Sequence, residues 1–465
     1  MKKTFLNNLL TIFCVFLAIF AIYIILFLPT TLSSGRYAIF VRNWLTHQQI
    51  APERLYISAW RTINNNYFDP TMNQQDWYQW KYRYKNKIKT DEDAILAINT
   101  MLASLNDNYS ELFDKEKFYL LETSISSNLN NMYKDAIAEK IKKEPQQAKQ
   151  KHNAQEVPTE QILTQSKPTK ERLEIFKEKN IYAELETIGG IVKYARIIYV
   201  PKEYNFLKKN DLIVHIDKHT LFGTDVNYAI QHIRGTNKRV ILYIIRNGKP
   251  LKINVPQGLL NVLQIKTKLL KNDILYISIY SLMNASTVKN IEKIIEYYSD
   301  AKGIIIDLRG DTGGLFMNAL NLADDFLDKG EILTIQYRNN NKYTFQAQKG
   351  KIGNGKPLIL LINKKTASSS EILAGALKLN NKAYLVGEET YGKNSIQQMI
   401  PMSNGTCLNL TTAKYSFFDD NQPEQKLKPD FYVENSIKNL IRNKDDQLQT
   451  AYEIMNQMIK NNPRS

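Results

Sequence analysis

From residue 262 onward short apolar runs alternate with amphipathic stretches, and this alternation limits the possible folds more than any other feature of the chain. Ile274–Ile279, Gly303–Asp307, Pro357–Ile362 and Ala383–Val386 read as buried strands. Ser286–Tyr298, Asn318–Leu327 and Ser370–Leu379 read as the helices between them. Strands and helices in alternation make an α/β core whose strands run largely parallel. A last helix over Asp446–Ile459 closes the chain.

The preceding residues divide by composition. In residues 52–120 apolar positions recur at helical spacing, as in Leu55-Tyr56-x-x-Ala59-Trp60-x-x-Ile63, until a Tyr-Phe-Asp-Pro turn at 67–70 breaks the pattern. Residues 134–179 are rich in Lys, Gln and Glu, are interrupted by Pro145, Pro158 and Pro168, and read as a flexible insert. Residues 180–256 hold short β-type runs, of which Arg239–Arg246 ends in an Asn-Gly hairpin turn, with one helical stretch over Asp225–Ile233. The expected organisation is a segment 1–35, a helical domain 36–133, the insert 134–179, a β-rich module 180–256 and the α/β core 257–465.

Met1-Lys2-Lys3 precedes an apolar run from Leu9 to Leu28 that ends at Pro29. About twenty such residues as a helix span about 30 Å, the thickness of a bilayer's hydrocarbon core. The short basic leader favours a cytoplasmic N-terminus, and LPTTLSSGR offers a poor cleavage site. The expectation is an uncleaved anchor in a bacterial inner membrane with the remaining domains in the periplasm or another extracytoplasmic space. Secretion to the periplasm after cleavage is the alternative.

Composition then removes several functions. The 62 basic and 46 acidic residues leave a charge of +16. The lysines are scattered along the whole chain instead of forming a stripe, so no nucleic-acid partner is expected. Two cysteines, Cys14 and Cys407, exclude a disulfide scaffold and a zinc knuckle.

Three turns carry possible chemistry. Asp307-Leu-Arg-Gly-Asp-Thr-Gly-Gly314 leaves a strand and enters a helix, where backbone N–H groups can converge on an anion. Thr366-Ala-Ser-Ser-Ser-Glu371 does the same, and reads either as a helix cap with a capping box or as a nucleophile at the head of a helix dipole. Gly387-Glu-Glu-Thr-Tyr-Gly-Lys393 follows phosphate-loop spacing until Asn394, where Ser or Thr should hold magnesium.

If Ser368 is a nucleophile, its base is constrained by what the chain lacks. The five histidines, His47, His152, His215, His219 and His232, all precede Ser368, so the hydrolase order of Ser, acid, then His is impossible. There is also no H-E-x-x-H segment for zinc hydrolysis. Lysine remains. To act as a base near neutral pH its amine must be neutral, about three units below the ordinary value of about 10.4, which burial and nearby dipoles can supply. Lys393 follows a buried strand, and Gln397 four residues later can fix the direction of its amine.

Taken together, these pieces resemble the carboxyl-terminal processing, or tail-specific, proteases: serine peptidases with a Ser–Lys dyad. The resemblance covers roughly residues 52–460 with 134–179 as an insert. It rests on Trp60 to Asp69-Pro70, Leu105-x-Asp107-x-Tyr109-Ser110, the Asp307–Gly314 loop, Thr366–Ile372, Val386-Gly387-Glu388-x-Thr390-x-Gly392-Lys393, Thr412-Ala413-x-Tyr415 and Lys428-Pro429-Asp430.

The resemblance implies Ser368 as nucleophile, Lys393 as general base, Gln397 as the residue that orients the lysine, and Glu371 in support. It also implies oxyanion donors in the Ser369 amide and that of Gly313 or Gly314. It implies a crotonase- or ClpP-like core, no metal and no cofactor. Residues 180–256 become a PDZ domain that captures the free C-termini of protein or peptide substrates by strand addition. An adaptor or a second copy of the chain is a further possible partner. The rival reading is a silent PDZ scaffold or chaperone, in which Ser368 is only a cap. The sequence departs from the family at Asn180-Ile181-Tyr182, where Gly-Ile-Gly is usual, at Asp311-Thr312 in place of Asn-Pro, and at Asn394 in place of Gly or Ser.

Overall fold

The computed structural model describes residues 51–115, 117–118, 180–234, 239–256, 258–348, 350, 352–353, 355–417 and 426–461. They fall into two compact units, one of residues up to 118 with 397–411, the other of 119–396 with 412–465.

The first unit is built on helices α1 (Pro52–Asn66), α2 (Trp77–Arg83) and α3 (Asp91–Ala103). Leu55, Tyr56, Ala59, Trp60 and Ile63 bury one face of α1, as their spacing requires. A capping box between Thr90 and Asp93 starts α3. These faces share a core with Leu408 and Leu410, and β1 (Glu111–Phe113) pairs antiparallel with residues 407–409.

The second unit opens with the β-rich module: β2 (Ile181–Ile188), β3 (Ile191–Tyr199), β4 (Leu212–Ile216), β5 (His219–Thr220), α4 (Val226–Arg234), β6 (Arg239–Arg246), β7 (Lys249–Pro256) and β8 (Leu260–Val262). Their sheet order is β7-β6-β4-β3-β2-β8, with β5 beside β4. Asn247 and Gly248 both have positive φ, the geometry that turns β6 tightly into β7.

The core follows as β9 (Ile265–Leu270), β10 (Ile274–Ile279), α5 (Thr287–Tyr297), β11 (Gly303–Asp307), α6 (Phe316–Phe326), β12 (Glu331–Tyr337), β13 (Lys342–Gln346), β14 (Leu358–Ile362), α7 (Ser369–Leu379) and β15 (Tyr384–Gly387). After these come β16 (Ser395–Pro401), β17 (Cys407–Ser416), β18 (Phe431–Tyr432), α8 (Ile437–Ile441) and α9 (Asp446–Asn461). The central sheet runs β18-β15-β14-β11-β10-β9, and only β9 pairs antiparallel. Both of its faces are covered. Ile304, Ile306, Leu358 and Leu360 pack with α5, α6 and α7, whereas Ile305, Ile359 and Leu361 pack with Ala451 and Met455 of α9. Strand alternation thus makes every residue of β11 and β14 a core residue.

Two expectations are corrected. The fold is a mixed α/β fold with a helical N-terminal region and additional antiparallel pairs, β12 with β13 and with residues 413–416, instead of a crotonase- or ClpP-like core carried on a transmembrane helix. Among the described residues no helix is long and apolar enough to cross a membrane. The anchor expected over Leu9–Leu28 lies outside the described residues, as does the insert 134–179. The transmembrane helix, the membrane as a partner, and the inner-membrane and periplasmic localisation drawn from it are therefore withdrawn.

Candidate active site

Strands β11, β14 and β15 end side by side, and the turn leaving each one carries part of the site. After β14, Thr366 Oγ1 accepts from the Asn363 amide and donates to the Leu308 carbonyl, which fixes the turn to the loop leaving β11. Ser368 follows at φ 57° and ψ −122°, a backbone region that side chains rarely adopt. This strained turn holds the half-buried serine at the head of α7.

Glu371, one turn into α7, is 1% exposed. Its Oε2 accepts from the Ser368 amide at 2.8 Å and from the Lys393 amide at 3.0 Å, while Oε1 accepts from the Gly392 amide at 2.6 Å. The backbones of the serine and the lysine therefore meet on one carboxylate oxygen. Burial pushes the Glu371 carboxyl up, and hydrogen bonds from Thr390 and from these amides oppose it. Tyr415 adds a second tie, donating to the Lys393 carbonyl and, at 3.4 Å, to that of Ser368. The capping box expected of Ser368 and Glu371 is present, and the same carboxylate also reaches the lysine loop.

The loop after β11 supplies the glycines. Gly313 has φ +97°, and a Cβ there would lie 2.8 Å from the Ser369 nitrogen and 3.0 Å from Ser368 Cβ. A Cβ on Gly314 would lie 2.2 Å from the Leu282 carbonyl carbon. Both positions exclude a side chain because backbone approaches so closely. The Gly313 amide donates to Asp311 Oδ1 at 2.8 Å, which commits it elsewhere than to a ligand.

Beyond Lys393 the chain enters strand β16. A phosphate loop needs a helix N-terminus at that point, so nucleotide binding has no footing here. Gln397 belongs to the first unit, where its Nε2 donates to Thr411 Oγ1 at 3.0 Å. The second unit thus brings together Ser368, Ser369, Glu371, Lys393, Gly313 and Gly314. The tie made by Tyr415 went unread in the sequence, where the residue stands only as part of the motif Thr412-Ala413-x-Tyr415; on β17 it is buried on the same face as Ala413.

In the β-rich module the outer edge of β2 is already paired. The Ile181 amide donates to the Leu259 carbonyl and the Leu263 amide to that of Ala183, both at 3.0 Å. Tyr280 Oη donates to the Leu185 carbonyl at 2.9 Å.

Comparison with known proteins places these turns. Residues 273–433 match the model of peptidase family S41, and residues 52–102 that of the tricorn protease C1 domain. A carboxyl-terminal-processing protease of Synechocystis sp. is 26% identical over 373 residues, 78% of this chain and 76% of that one. A carboxy-terminal-processing protease of Bartonella bacilliformis is 35% identical over 215 residues, 44% of this chain and 49% of that one. CtpA of Bacillus subtilis, a carboxy-terminal processing protease, is 28% identical over 354 residues, 74% of this chain and 65% of that one. The S41 match spans the serine turn, the lysine loop and the glycine loop together, so residues 273–433 are a serine peptidase domain of family S41, and the chain is similar to the carboxyl-terminal processing proteases over most of its length.

Proposed function

We propose that this endopeptidase works by acyl transfer with Ser368 as nucleophile and Lys393 as general base. The observation that carries the assignment is Glu371, whose one carboxylate holds the amides of both residues. Neutral Lys393 takes the Ser368 hydroxyl proton as Oγ bonds to the scissile carbonyl carbon. The same amine returns the proton to the leaving nitrogen as the peptide bond breaks. Water, deprotonated by Lys393, then attacks the ester, and the product acid leaves as Ser368 regains its proton.

The developing oxyanion is assigned to the amides of Gly314 and Ser369. Gly313 is the weaker candidate of the two glycines because its N–H is held by Asp311. Gln397 is given the orienting role by resemblance alone. Glu371 acts through backbone positions and touches no reacting atom. Glu371→Gln replaces one acceptor oxygen by a donor that faces N–H groups, so kcat should fall about 100-fold with KM little changed. Steady-state kinetics on a peptide substrate check this, and a KM change with kcat intact would contradict it.

Residues 180–256 are proposed as a PDZ domain that reads the free C-terminus of the substrate. The occupied β2 edge makes the dependence on the tail the quantity to measure. The test incubates residues 36–465 with an unfolded protein ending in an apolar free carboxylate, and with the same protein amidated at its C-terminus. Cleavage followed by mass spectrometry should favour the free tail at least tenfold. Equal rates would remove tail reading, and no cleavage of either would remove the peptidase assignment.

A further inference from the structure

Asp311 stands in the glycine loop where the family usually has asparagine, and it is completely buried. Its Oδ1 accepts from the Gly313 amide at 2.8 Å, and its own carbonyl accepts from the Ala367 amide, next to Ser368, at 3.1 Å. One residue therefore joins the glycine loop to the serine turn. Its second oxygen, Oδ2, is buried without a hydrogen-bond partner, and so is the hydroxyl of Ser370 on α7. The two groups are close enough to act on each other, although their alignment in this structure falls short of a well-formed bond.

Ionised, this carboxylate would have one amide and one poorly aligned hydroxyl as donors and no cation to balance a fully buried charge. A protonated carboxyl resolves this arrangement: Oδ1 keeps the Gly313 N–H, and Oδ2–H gains Ser370 Oγ as acceptor. The charged neighbours do not offset ionisation. On its own loop Arg309 is bound to Asp307 and Asp445. On the serine turn Lys364 pairs with Glu388 and Lys365 with Asp225, while Glu371 is bound to backbone amides. Burial pushes the Asp311 carboxyl up to about 7, opposed only by the Gly313 amide and the Ser370 hydroxyl.

We infer that Asp311 is a positioning residue that acts in its protonated form. It turns the Gly313 amide away from the reacting carbonyl and leaves the amides of Gly314 and Ser369 to the oxyanion. Ionised Asp311 sets a full negative charge beside those two donors, where the transition state develops its own negative charge. Cleavage then needs Asp311 neutral and Lys393 neutral at once. The lysine sets the acid limb of the rate profile and the aspartate the alkaline limb. The inference rests on the serine–lysine reading above.

Asp311→Asn tests it, because the amide oxygen still accepts from Gly313, the amide nitrogen still donates toward Ser370, and the group never titrates. The measurement is kcat/KM from pH 5 to 10 for the wild type, Asp311→Asn and Asp311→Ala. The wild type should lose activity on the alkaline side by about tenfold per pH unit. Asp311→Asn should lie within about threefold of the wild type at pH 6, lack that limb, and exceed it at least tenfold at pH 9. Asp311→Ala, which cannot hold the Gly313 amide, should be slow at every pH. An alkaline limb unchanged in Asp311→Asn overturns the inference, as does a wild type without one. A wild type that cleaves nothing at any pH sinks the dyad reading instead. Melting temperatures on the Ser368→Ala background give a readout independent of turnover. A group whose proton is held more tightly when folded loses stability as pH rises from its unfolded value to its folded one. The wild type should therefore fall below Asp311→Asn between about pH 4 and pH 7, with a constant gap above. A gap that does not change with pH also overturns the inference.

Discussion

Ser368→Ala and Lys393→Ala are each expected to lower kcat/KM for peptide cleavage by about 10⁴- to 10⁶-fold, and the double variant to be no slower than either alone. On the proposed mechanism nucleophile and base act in one step, so removing the second after the first costs nothing more. The fold should not follow the activity. Ser368 holds φ 57° and ψ −122°, a strained conformation of the kind worth about 1–3 kcal/mol. Glycine reaches that region without a Cβ penalty. Ser368→Gly should thus be inactive yet more stable than the wild type by about 1 kcal/mol. Urea denaturation beside the rate measurement separates the two effects. A Ser368→Gly protein that is less stable would mean the strain is not stored at Ser368. Activity within tenfold of the wild type in either alanine variant would mean the dyad is wrongly assigned.

The parts of this arrangement that the sequence discloses are those set by local pattern. Strands Ile274–Ile279, Gly303–Asp307 and Arg239–Arg246 have the bounds their apolar runs predict, because a strand buried on both faces is a continuous hydrophobic run. The turn positions of Ser368 and Lys393 are legible for the same reason: each follows such a run. What escapes is pairing between distant segments. β12 and β13 carry mixed polar and apolar residues, β12 buried only at Ile332, Leu333 and Ile335 and β13 largely exposed, and no run marks them. β2 was missed because its polar residues break the pattern, although the packed sheet buries Ile181, Ala183 and Leu185 completely. At the site, Glu371 reads locally as a helix cap, and that reading is correct as far as it goes. Its bonds to Gly392 and Lys393 cross about twenty residues of chain, and no spacing rule predicts them. Asp311 shows the same limit: its sequence position marks a departure from the family, but only packing reveals that no cation accompanies it.

Arg309 carries the largest expected effect on stability. Its side chain is 1% exposed and lies between two carboxylates. Nε and one terminal nitrogen bind Asp307 at 2.9 and 2.6 Å, while the two terminal nitrogens bind Asp445 at 2.8 and 2.9 Å. A fifth bond goes to Gln447 at 3.0 Å, so every N–H of the guanidinium is used. Asp445 Oδ2 also accepts from the Gly189 amide, and a Cβ on Gly190 would lie 2.8 Å from Arg309 Cβ. The turn between β2 and β3 is thus seated on this arginine. Arg309→Met leaves two carboxylates buried without a cation, which should cost about 3–5 kcal/mol and lower the melting temperature by about 10 °C.

The sign of the pH dependence distinguishes this from a loss of packing. In the wild type, burial raises the Asp445 carboxyl, but Arg309 outweighs it and holds the group at about 2. Such a carboxylate contributes stability that is present above about pH 4 and lost as pH falls toward about 2. Without the arginine, burial is opposed only by hydrogen bonds from neutral groups such as the Leu448 and Gly189 amides, so the penalty on the ionised form grows as pH rises through the carboxylate range. The stability gap between wild type and Arg309→Met, measured by urea denaturation, should be at least twice as large at pH 8 as at pH 4.5. Arg309→Met combined with Asp445→Asn should recover about 2 kcal/mol of it at pH 8, because one of the two unpaired charges is gone. An equal gap at both pH values would show that the arginine acts through its volume alone. In that case the Gly189 amide should keep its hydrogen-exchange protection in the single variant, whereas loss of the charge network exposes it.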